Sequence, residues 1–246
     1  MKRLGLLLAL AALGGTAAGA EDRQAPPGRA GPAGRSGNSY ADPSAVIAAE
    51  LAFARLAQEK GQWTAFAATA ASDAVMFEPQ MVLAQQWLKG RANPPVAVKW
   101  QPHQVWSSCD GSLMVSRGAW QGPRRTGYFT TLWQRQRNGR YKWIYDGGDS
   151  LAQPLAAPDM ISAQIADCPP RARQPARAVG NGSENTGRSS RPAPFDPLHR
   201  SGQSVDGSLR WTVTASPGGA RSLNVTWKKD GADVPFLHDE VSEQGH

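Results

Sequence analysis

Cysteine and histidine are scarce in this 246-residue sequence, which holds two cysteines and four histidines. Structural zinc sites need these residues in clusters such as Cys-x-x-Cys, and the sequence has no such cluster. The GxSxG and HExxH motifs and the phosphate-binding loop are also missing. We therefore expect no metal and no cofactor, and the sequence leaves open whether the chain is an enzyme.

No apolar run is long enough to span a membrane. The run at residues 4–13 is too short to cross about 30 Å of hydrocarbon. It follows Lys2 and Arg3 and precedes Ala18-Gly19-Ala20, which is the pattern of a cleavable signal peptide. We expect cleavage after Ala20, a periplasmic or secreted protein, and no integral membrane segment in the mature chain.

Export changes how the two cysteines are interpreted. Cys109 and Cys168 can pair in an oxidising compartment, whereas cytosolic cysteines usually stay free. Only one intramolecular pairing is available, and it would close a loop of roughly 60 residues, worth about 4 kcal/mol in the chain-entropy model. The sequence therefore favours a disulfide without deciding that it forms.

Positive charge is spread along the chain rather than clustered. The formal net charge is +7, of which residues 1–40 contribute +3, residues 41–150 +4 and residues 151–246 none. Part of this charge leaves with the signal peptide, and no basic stripe with interleaved aromatic residues is present. We expect no nucleic-acid partner, while weak contact with anionic envelope surfaces stays open.

Composition divides the chain into five segments. The signal peptide (1–20) is followed by a leader at residues 21–41, rich in Pro, Gly and Arg, which predicts disorder. Residues 42–168 carry the periodic patterns of a folded domain, and residues 169–206 return to low complexity and predict a linker. Residues 207–237 alternate as a β-hairpin, whose apolar face must dock on the main sheet or on a second chain because a lone hairpin is marginal in water.

The pattern within the folded domain changes from helical to strand-like. Three helices are predicted at residues 43–60, 62–71 and 82–89, with a brief strand at 74–77. A period of two then predicts four strands at residues 98–107, 112–120, 127–137 and 140–146. The predicted fold class is α+β, with three N-terminal helices packed on a curved antiparallel sheet and an extra C-terminal hairpin.

This order of elements resembles the NTF2-like, or cone-fold, superfamily over about residues 42–150. Glu50-Leu51-Ala52-Phe53 is similar to the acidic-then-aromatic step of that family's first helix. Residues 73–79 (DAVMFEP) resemble its first strand, and residues 133–143, with Asn-Gly-Arg-Tyr-Lys-Trp, resemble its last hairpin. The set is similar to the SnoaL-like and DUF4440-type branches in exported bacterial versions. The resemblance implies a pocket between the helices and the sheet, and catalytic relatives include isomerases, dehydratases and hydrolases.

Tryptophan is abundant, with nine in the chain. Pockets of the resembled fold are lined by aromatic side chains, and the candidate pocket residues are Trp63, Phe66, Trp87, Trp100, Trp106, Trp133 and Trp143. The alternative is that these rings fill a core with few large aliphatic residues. Because neighbouring strand residues alternate faces, they cannot all point inward. A pocket here would bind a small apolar or aromatic molecule.

Glu50 lies at the centre of the apolar stripe of the first helix, between Val46 and Phe53. A carboxylate there would be desolvated, and its raised pKa would suit general acid or base catalysis. The alternative is a structural acid that accepts hydrogen bonds from the backbone or from a tryptophan Nε1–H. Tyr128 and Asp146 are the residues expected to assist if Glu50 is catalytic.

His103 is the only histidine of the predicted domain. Strict alternation along residues 98–107 places it on the face away from Trp100, which predicts a solvated side chain. Pro102 could introduce a bulge and reverse that parity.

Three functions stay open at this point. The first is an exported module that binds a small molecule or an unspecified partner protein. The second is a SnoaL-type lyase or isomerase that uses Glu50 as its base. The third is an interaction protein that forms a homodimer through its sheet face and terminal hairpin.

Overall fold

A computed structural model describes residues 41–168 and 195–243. The predicted signal peptide, nearly all of the leader and most of the predicted linker lie outside the described residues. Among the helices of the described ranges, none combines the length and the hydropathy needed to cross a membrane.

The described residues contain three helices, as the sequence predicts: α1 (Pro43–Lys60), α2 (Gln62–Thr69) and α3 (Ala84–Leu88). The first two precede the main sheet, and α3 follows the first two strands of that sheet. Asp42 caps α1 by accepting the Ser44 backbone N–H at 3.1 Å, and Pro43 occupies the first helical position, where its missing N–H costs nothing. Gly61 separates α1 from α2 at φ 98°, a value that favours glycine. The third helix is shorter than predicted because its first residues pair as a strand.

The main sheet has seven strands: β1 (Ala70–Phe77), β2 (Met81–Leu83), β3 (Lys99–Ser107), β4 (Leu113–Gln121), β5 (Thr126–Arg135), β6 (Tyr141–Leu151) and β7 (Ser162–Ile165). Their order is β2-β1-β6-β5-β4-β3-β7. The predicted four-stranded meander is β3 to β6. The prediction of a purely antiparallel sheet is wrong, since β1 runs parallel to β6 and β7 runs parallel to β3. Alternation identifies a strand, but its partner is set by long connections that a short-range pattern does not encode.

The C-terminal region is a four-stranded sheet rather than a hairpin. Its strands are β8 (His199–Gln203), β9 (Leu209–Ala215), β10 (Arg221–Lys229) and β11 (Ala232–Val241), in the order β11-β10-β9-β8. The predicted hairpin corresponds to β9 and β10. Strand β8 falls inside the predicted linker, because its side chains are exposed or half-buried and lack apolar alternation. Backbone pairing with β9 holds it in the sheet.

The apolar face of this second sheet packs on the main sheet. The rings of Trp106 and Phe236 lie 5.2 Å apart, and those of Tyr145 and Trp211 lie 6.4 Å apart. Asp239 adds polar contacts by pairing with Arg117 and accepting the Thr130 hydroxyl. One face of the main sheet is therefore covered from within the same chain.

Two turns of nearly identical sequence meet where the sheets join. They are residues 108–113 (SCDGSL), between β3 and β4, and residues 204–209 (SVDGSL), between β8 and β9. In each turn the aspartate Oδ1 accepts the serine hydroxyl two residues before it and the backbone N–H two residues after it, at 2.6–3.0 Å. Each turn also donates backbone N–H groups to the other. We call this pair of turns the turn clasp.

The disulfide that the sequence favours is present. Cys109 and Cys168 are bonded, with their Cα atoms 5.0 Å apart. Cys109 belongs to the turn clasp, where its N–H donates to Ser208 Oγ at 2.8 Å. Next to Cys168, Asp167 accepts the Asp230 backbone N–H at 2.7 Å. The chain that follows β7 is thus fastened to both sheets.

Candidate functional site

A pocket of about 390 Å³ lies between α1, α2 and the main sheet. Its aromatic lining consists of Phe53, Trp63, Phe66, Phe77, Trp100, Trp120, Tyr128 and Phe129. Phe53 sits at the centre of the ring packing, 4.8 Å from Phe66 and 4.7 Å from Trp100, in both cases edge to face. The volume and the apolar lining are those of a small-molecule site. The tryptophans therefore do not fill the cone completely.

Three of the seven predicted pocket residues line this cavity: Trp63, Phe66 and Trp100. Trp120 also lines it, although the candidate set omits this residue. Its position at the end of β4 brings it beside β5, where its Nε1–H donates to the Tyr128 carbonyl at 3.0 Å.

The other four candidates lie elsewhere. Trp87 packs edge-on against Trp63 at 5.1 Å but lines a neighbouring groove. Trp133 and Trp143 are fully buried in the core, and Trp106 faces the second sheet. Of these strand residues only Trp106 lies on the face toward the second sheet, whereas Trp133 and Trp143 face the helices and pack edge-on against Phe53 and Phe66.

Glu50 is fully buried and does not line the pocket. Its Oε1 accepts the Trp100 Nε1–H at 2.8 Å, and its Oε2 accepts the Trp133 Nε1–H at 2.9 Å and the Ser116 hydroxyl at 2.6 Å. Burial raises its pKa, and these hydrogen bonds partly oppose that rise. The geometry fits the structural alternative, a carboxyl that holds α1 to the sheet, because both of its oxygens are occupied.

Asp146 is the acidic group best placed for chemistry in the pocket. It lies on β6, and the surface it exposes belongs to the cavity wall. Burial raises its pKa to about 7, against the opposing effect of the Thr131 hydroxyl, which donates to Oδ2 at 2.7 Å. A carboxyl that titrates near neutral pH can both accept and release a proton. From the sequence, Asp146 is expected only to assist Glu50, but the structure places Asp146 itself in the pocket lining.

Tyr128 also lines the pocket and is nearly buried, with 8% of its surface exposed. Burial raises its pKa to about 12, and the charge of Asp239 adds to this effect. The Arg117 guanidinium lies 4.4 Å from the ring centroid. Tyr128 therefore keeps its hydroxyl proton at neutral pH.

Arg221 is a pocket residue that the sequence does not single out. It is the first residue of β10, so the second sheet brings a charge to a cavity built mainly by the first. Its Nη2–H donates to the Gly148 carbonyl at 2.7 Å, and its guanidinium lies 4.8 Å from the Phe77 ring centroid. An internal pattern of the strand could not reveal this role, because it depends on how the two sheets dock.

His103 departs from its predicted position. The register of β3 shifts between Pro102 and Gln104, and the imidazole is buried rather than solvated, with 8% exposure. Burial lowers its pKa. The bulge at Pro102 is therefore present, and His103 does not line the pocket.

No group of three or more His, Cys, Asp and Glu side chains within residues 41–168 and 195–243 is arranged to hold a metal ion. The charged groups of the pocket are three acids, Glu78, Asp146 and Asp149, and two arginines, Arg125 and Arg221, set among aromatic rings.

Several solved structures are similar to this chain. A candidate ketosteroid isomerase from Parabacteroides distasonis shares 12% identity at a TM-score of 0.37, over 47% of this chain and 97% of that one. A candidate aromatic ring hydroxylase from Novosphingobium aromaticivorans shares 15% at 0.35, over 46% and 92%. An NTF-2 like protein of unknown function from Burkholderia xenovorans shares 16% at 0.31, over 48% and 91%. No protein-family model matches the chain, and no curated protein matches it.

With TM-scores of 0.31 to 0.37, these likenesses carry no argument about fold or function. The helices and the mixed sheet of the described residues have the predicted α+β class, and the NTF2-like superfamily stays a prediction. None of these proteins is described as DUF4440-type or SnoaL-like, so those two branches stay predictions.

Proposed function

We propose that this chain is an exported NTF2-like module that binds a small apolar or aromatic molecule in the pocket between α1, α2 and the main sheet. The observation that carries the proposal is the cavity of about 390 Å³, open and lined by eight aromatic side chains. Edge-to-face ring clusters of this kind offer an aromatic ligand favourable contacts beyond simple burial. Export is supported by the N-terminal pattern of charge, apolar run and small residues, and by the Cys109–Cys168 disulfide.

Tryptophan fluorescence tests ligand binding directly. Trp63, Trp100 and Trp120 line the pocket, so a bound neutral aromatic probe such as 2-naphthamide should quench them in a saturable way. Trp63→Phe should lower the amplitude of quenching. The matched control is Trp106→Phe, since Trp106 faces the second sheet and should leave probe-induced quenching unchanged. Absence of saturable quenching by naphthalene probes of any charge would refute the proposal.

The second candidate function is a lyase or isomerase in which Asp146, rather than Glu50, acts as the general base. Two observations favour this assignment: Asp146 lies on the pocket wall with a pKa near 7, whereas both oxygens of Glu50 are engaged in the core. Tyr128, which stays protonated at neutral pH, could donate a hydrogen bond to the oxygen on which negative charge develops. Glu50 would then act only by positioning α1.

Proton abstraction can be measured without knowing the natural substrate. A bicyclic ketone such as 2-tetralone exchanges its protons next to the carbonyl in D2O, and NMR follows the rate. The wild-type chain should accelerate exchange, and Asp146→Asn should remove about 100-fold or more of any such acceleration. Asp149→Asn is the control, because Asp149 lines the same pocket but lacks the Thr131 contact. Equal rates for wild type and Asp146→Asn would exclude this role.

A further inference from the structure

Arg221 stands at the boundary of two cavities. The aromatic pocket and a neighbouring groove share Phe77, Glu78 and Arg221 in their linings. The groove is formed by the turn after β1, the residues Trp87 and Arg91, and the β9–β10 turn at residues 217–219. Arg221 is therefore in reach of a molecule that occupies either cavity.

The guanidinium has hydrogen-bonding capacity to spare. Its one acceptor among the described residues is the Gly148 carbonyl, its Nε–H is buried without a partner, and it forms no ion pair within residues 41–168 and 195–243. An arginine carries its charge at any physiological pH. A buried donor without a partner is costly, and this one lies beside a ligand-sized space.

The pocket lining contains both acidic and basic residues. The acidic residues are Glu78, Asp146 and Asp149, and the basic residues are Arg125 and Arg221. Burial raises the pKa of Asp146 to about 7, which reduces the negative charge that Asp146 contributes near neutral pH. Burial also raises the pKa of Glu78, against the opposing charge of Arg91. The two arginines stay positively charged at any physiological pH. They therefore attract an anionic group of a ligand and repel a cationic one.

We propose that the ligand is an aromatic or apolar carboxylic acid, whose carboxylate pairs with Arg221 while its ring occupies the aromatic pocket. This inference rests on the proposed binding function and adds the ligand class and the residue that selects it. A carboxylate is planar and accepts two parallel hydrogen bonds from a guanidinium, which makes it the natural partner of an unpaired arginine. The four-stranded sheet thus supplies the polar determinant of a pocket that the helices and the main sheet make hydrophobic.

Three probes with one ring system test this proposal at pH 6: 2-naphthoate, neutral 2-naphthamide and cationic 2-naphthylmethylammonium. Binding is followed by tryptophan quenching. We expect the wild-type chain to bind naphthoate about tenfold or more tightly than naphthamide. The reason is that hydrogen bonds to charged groups are stronger than hydrogen bonds between neutral groups. Arg221→Gln should abolish that preference by lowering the affinity for naphthoate far more than the affinity for naphthamide, and Arg221→Lys should keep part of the preference.

Arg210→Gln is the matched control. Arg210 belongs to the same sheet but pairs with Asp233 at the surface, 2.7 Å away, so its loss should not alter the preference. Thermal unfolding of each variant checks that it folds, and the comparison of the three probes on the wild-type chain needs no variant.

Equal affinities for naphthoate and naphthamide, or tighter binding of the ammonium probe, would overturn the proposal that the ligand is a carboxylic acid. The proposal that the pocket binds a small molecule would still stand. Failure of all three probes would instead overturn the binding function together with this inference.

Discussion

Asp110 and Asp206 bind each other's backbone across the junction of the two sheets. The Asp110 N–H donates to Asp206 Oδ2 at 3.0 Å, and the Asp206 N–H donates to Asp110 Oδ2 at 3.2 Å. Burial acts to raise the pKa of Asp206, but hydrogen bonds from Ser204, Ser208 and the Asp110 backbone outweigh it, and the net pKa is lowered. The reciprocal arrangement makes the turn clasp a specific joint between the sheets rather than a general apolar contact.

Loss of one clasp carboxylate should weaken this joint. Asp206→Ala removes the acceptor of the Asp110 N–H and of three groups in its own turn, and we expect it to lower the free energy of unfolding by about 2 kcal/mol or more. Urea unfolding measures the change. Asp159→Ala, an exposed aspartate, is the control. A double-mutant cycle with Asp110→Ala should show coupling, and additive effects would mean that the two turns do not act together.

Glu50→Gln should destabilise the fold without a specific effect on ligand affinity. The amide nitrogen cannot accept a hydrogen bond, so one of the donors Trp100, Trp133 and Ser116 would lose its acceptor in the core. We expect a loss of about 2 kcal/mol in the free energy of unfolding. Thermal unfolding and the fluorescence titration together check this prediction. A variant of wild-type stability with impaired turnover would return Glu50 to the catalytic role first considered for it.

Asp146 should make the free energy of unfolding fall as pH rises between about 4 and 7. Its folded-state pKa, about 7, lies above its ordinary value of 3.8, so folding favours the protonated form. The stabilisation it contributes is complete below about pH 4 and is lost as pH rises through about 7. Asp146→Asn, which stays neutral, should therefore gain stability relative to wild type at pH 8, on the order of 2 kcal/mol, and much less at pH 4.

Denaturant unfolding at pH 4, 6 and 8 measures this difference for Asp146→Asn. Asp149→Asn, in the same lining, is the control and should not reproduce the profile. A constant difference between Asp146→Asn and wild type across this range would show that folding does not raise the pKa of Asp146.

Reduction of the Cys109–Cys168 disulfide should lower stability. The bond joins residues 59 positions apart, and opening a loop of that length is worth about 4 kcal/mol in the chain-entropy model. Urea unfolding with and without a thiol reductant gives the change. The Cys109→Ser/Cys168→Ser double variant should match the reduced chain and should not respond to reductant; a response would indicate an effect of the reductant elsewhere.

The chain is expected to be monomeric. The dimer considered from the sequence needs a free sheet face and a free terminal hairpin, yet the aromatic contacts Trp106–Phe236 and Tyr145–Trp211 pack these two surfaces on each other within one chain. Sedimentation equilibrium at micromolar concentrations should give the monomer mass. Asp239→Ala removes the partner of Arg117 in this contact and tests whether a loosened sheet lets dimers form, while a dimer of the wild-type chain would contradict the prediction.

Local pattern was sufficient for the elements that it describes. Asp42 and Pro43 mark the start of α1, the alternation after Pro94-Pro95 marks the meander β3 to β6, and Gly61 marks the break between helices. These features depend on residues within a few positions of one another. The same reasoning missed β8, which is held mainly by backbone pairing and lacks apolar alternation. It also missed β11, because the charged Asp239 occupies the inward position between the buried Leu237 and Val241.

The sequence alone therefore determined the helices, the meander and the available cysteine pairing. It also determined that the chain has many aromatic residues that can line a pocket. Tertiary structure decided which rings face the cavity. It also placed Glu50 where its oxygens accept hydrogen bonds from indole and hydroxyl groups, and it placed Asp146 and Arg221 in the pocket lining. The physical reason is distance along the chain. A side chain's burial, partners and pKa depend on strands that arrive from far away in sequence, and only the docking of the two sheets brings those groups together.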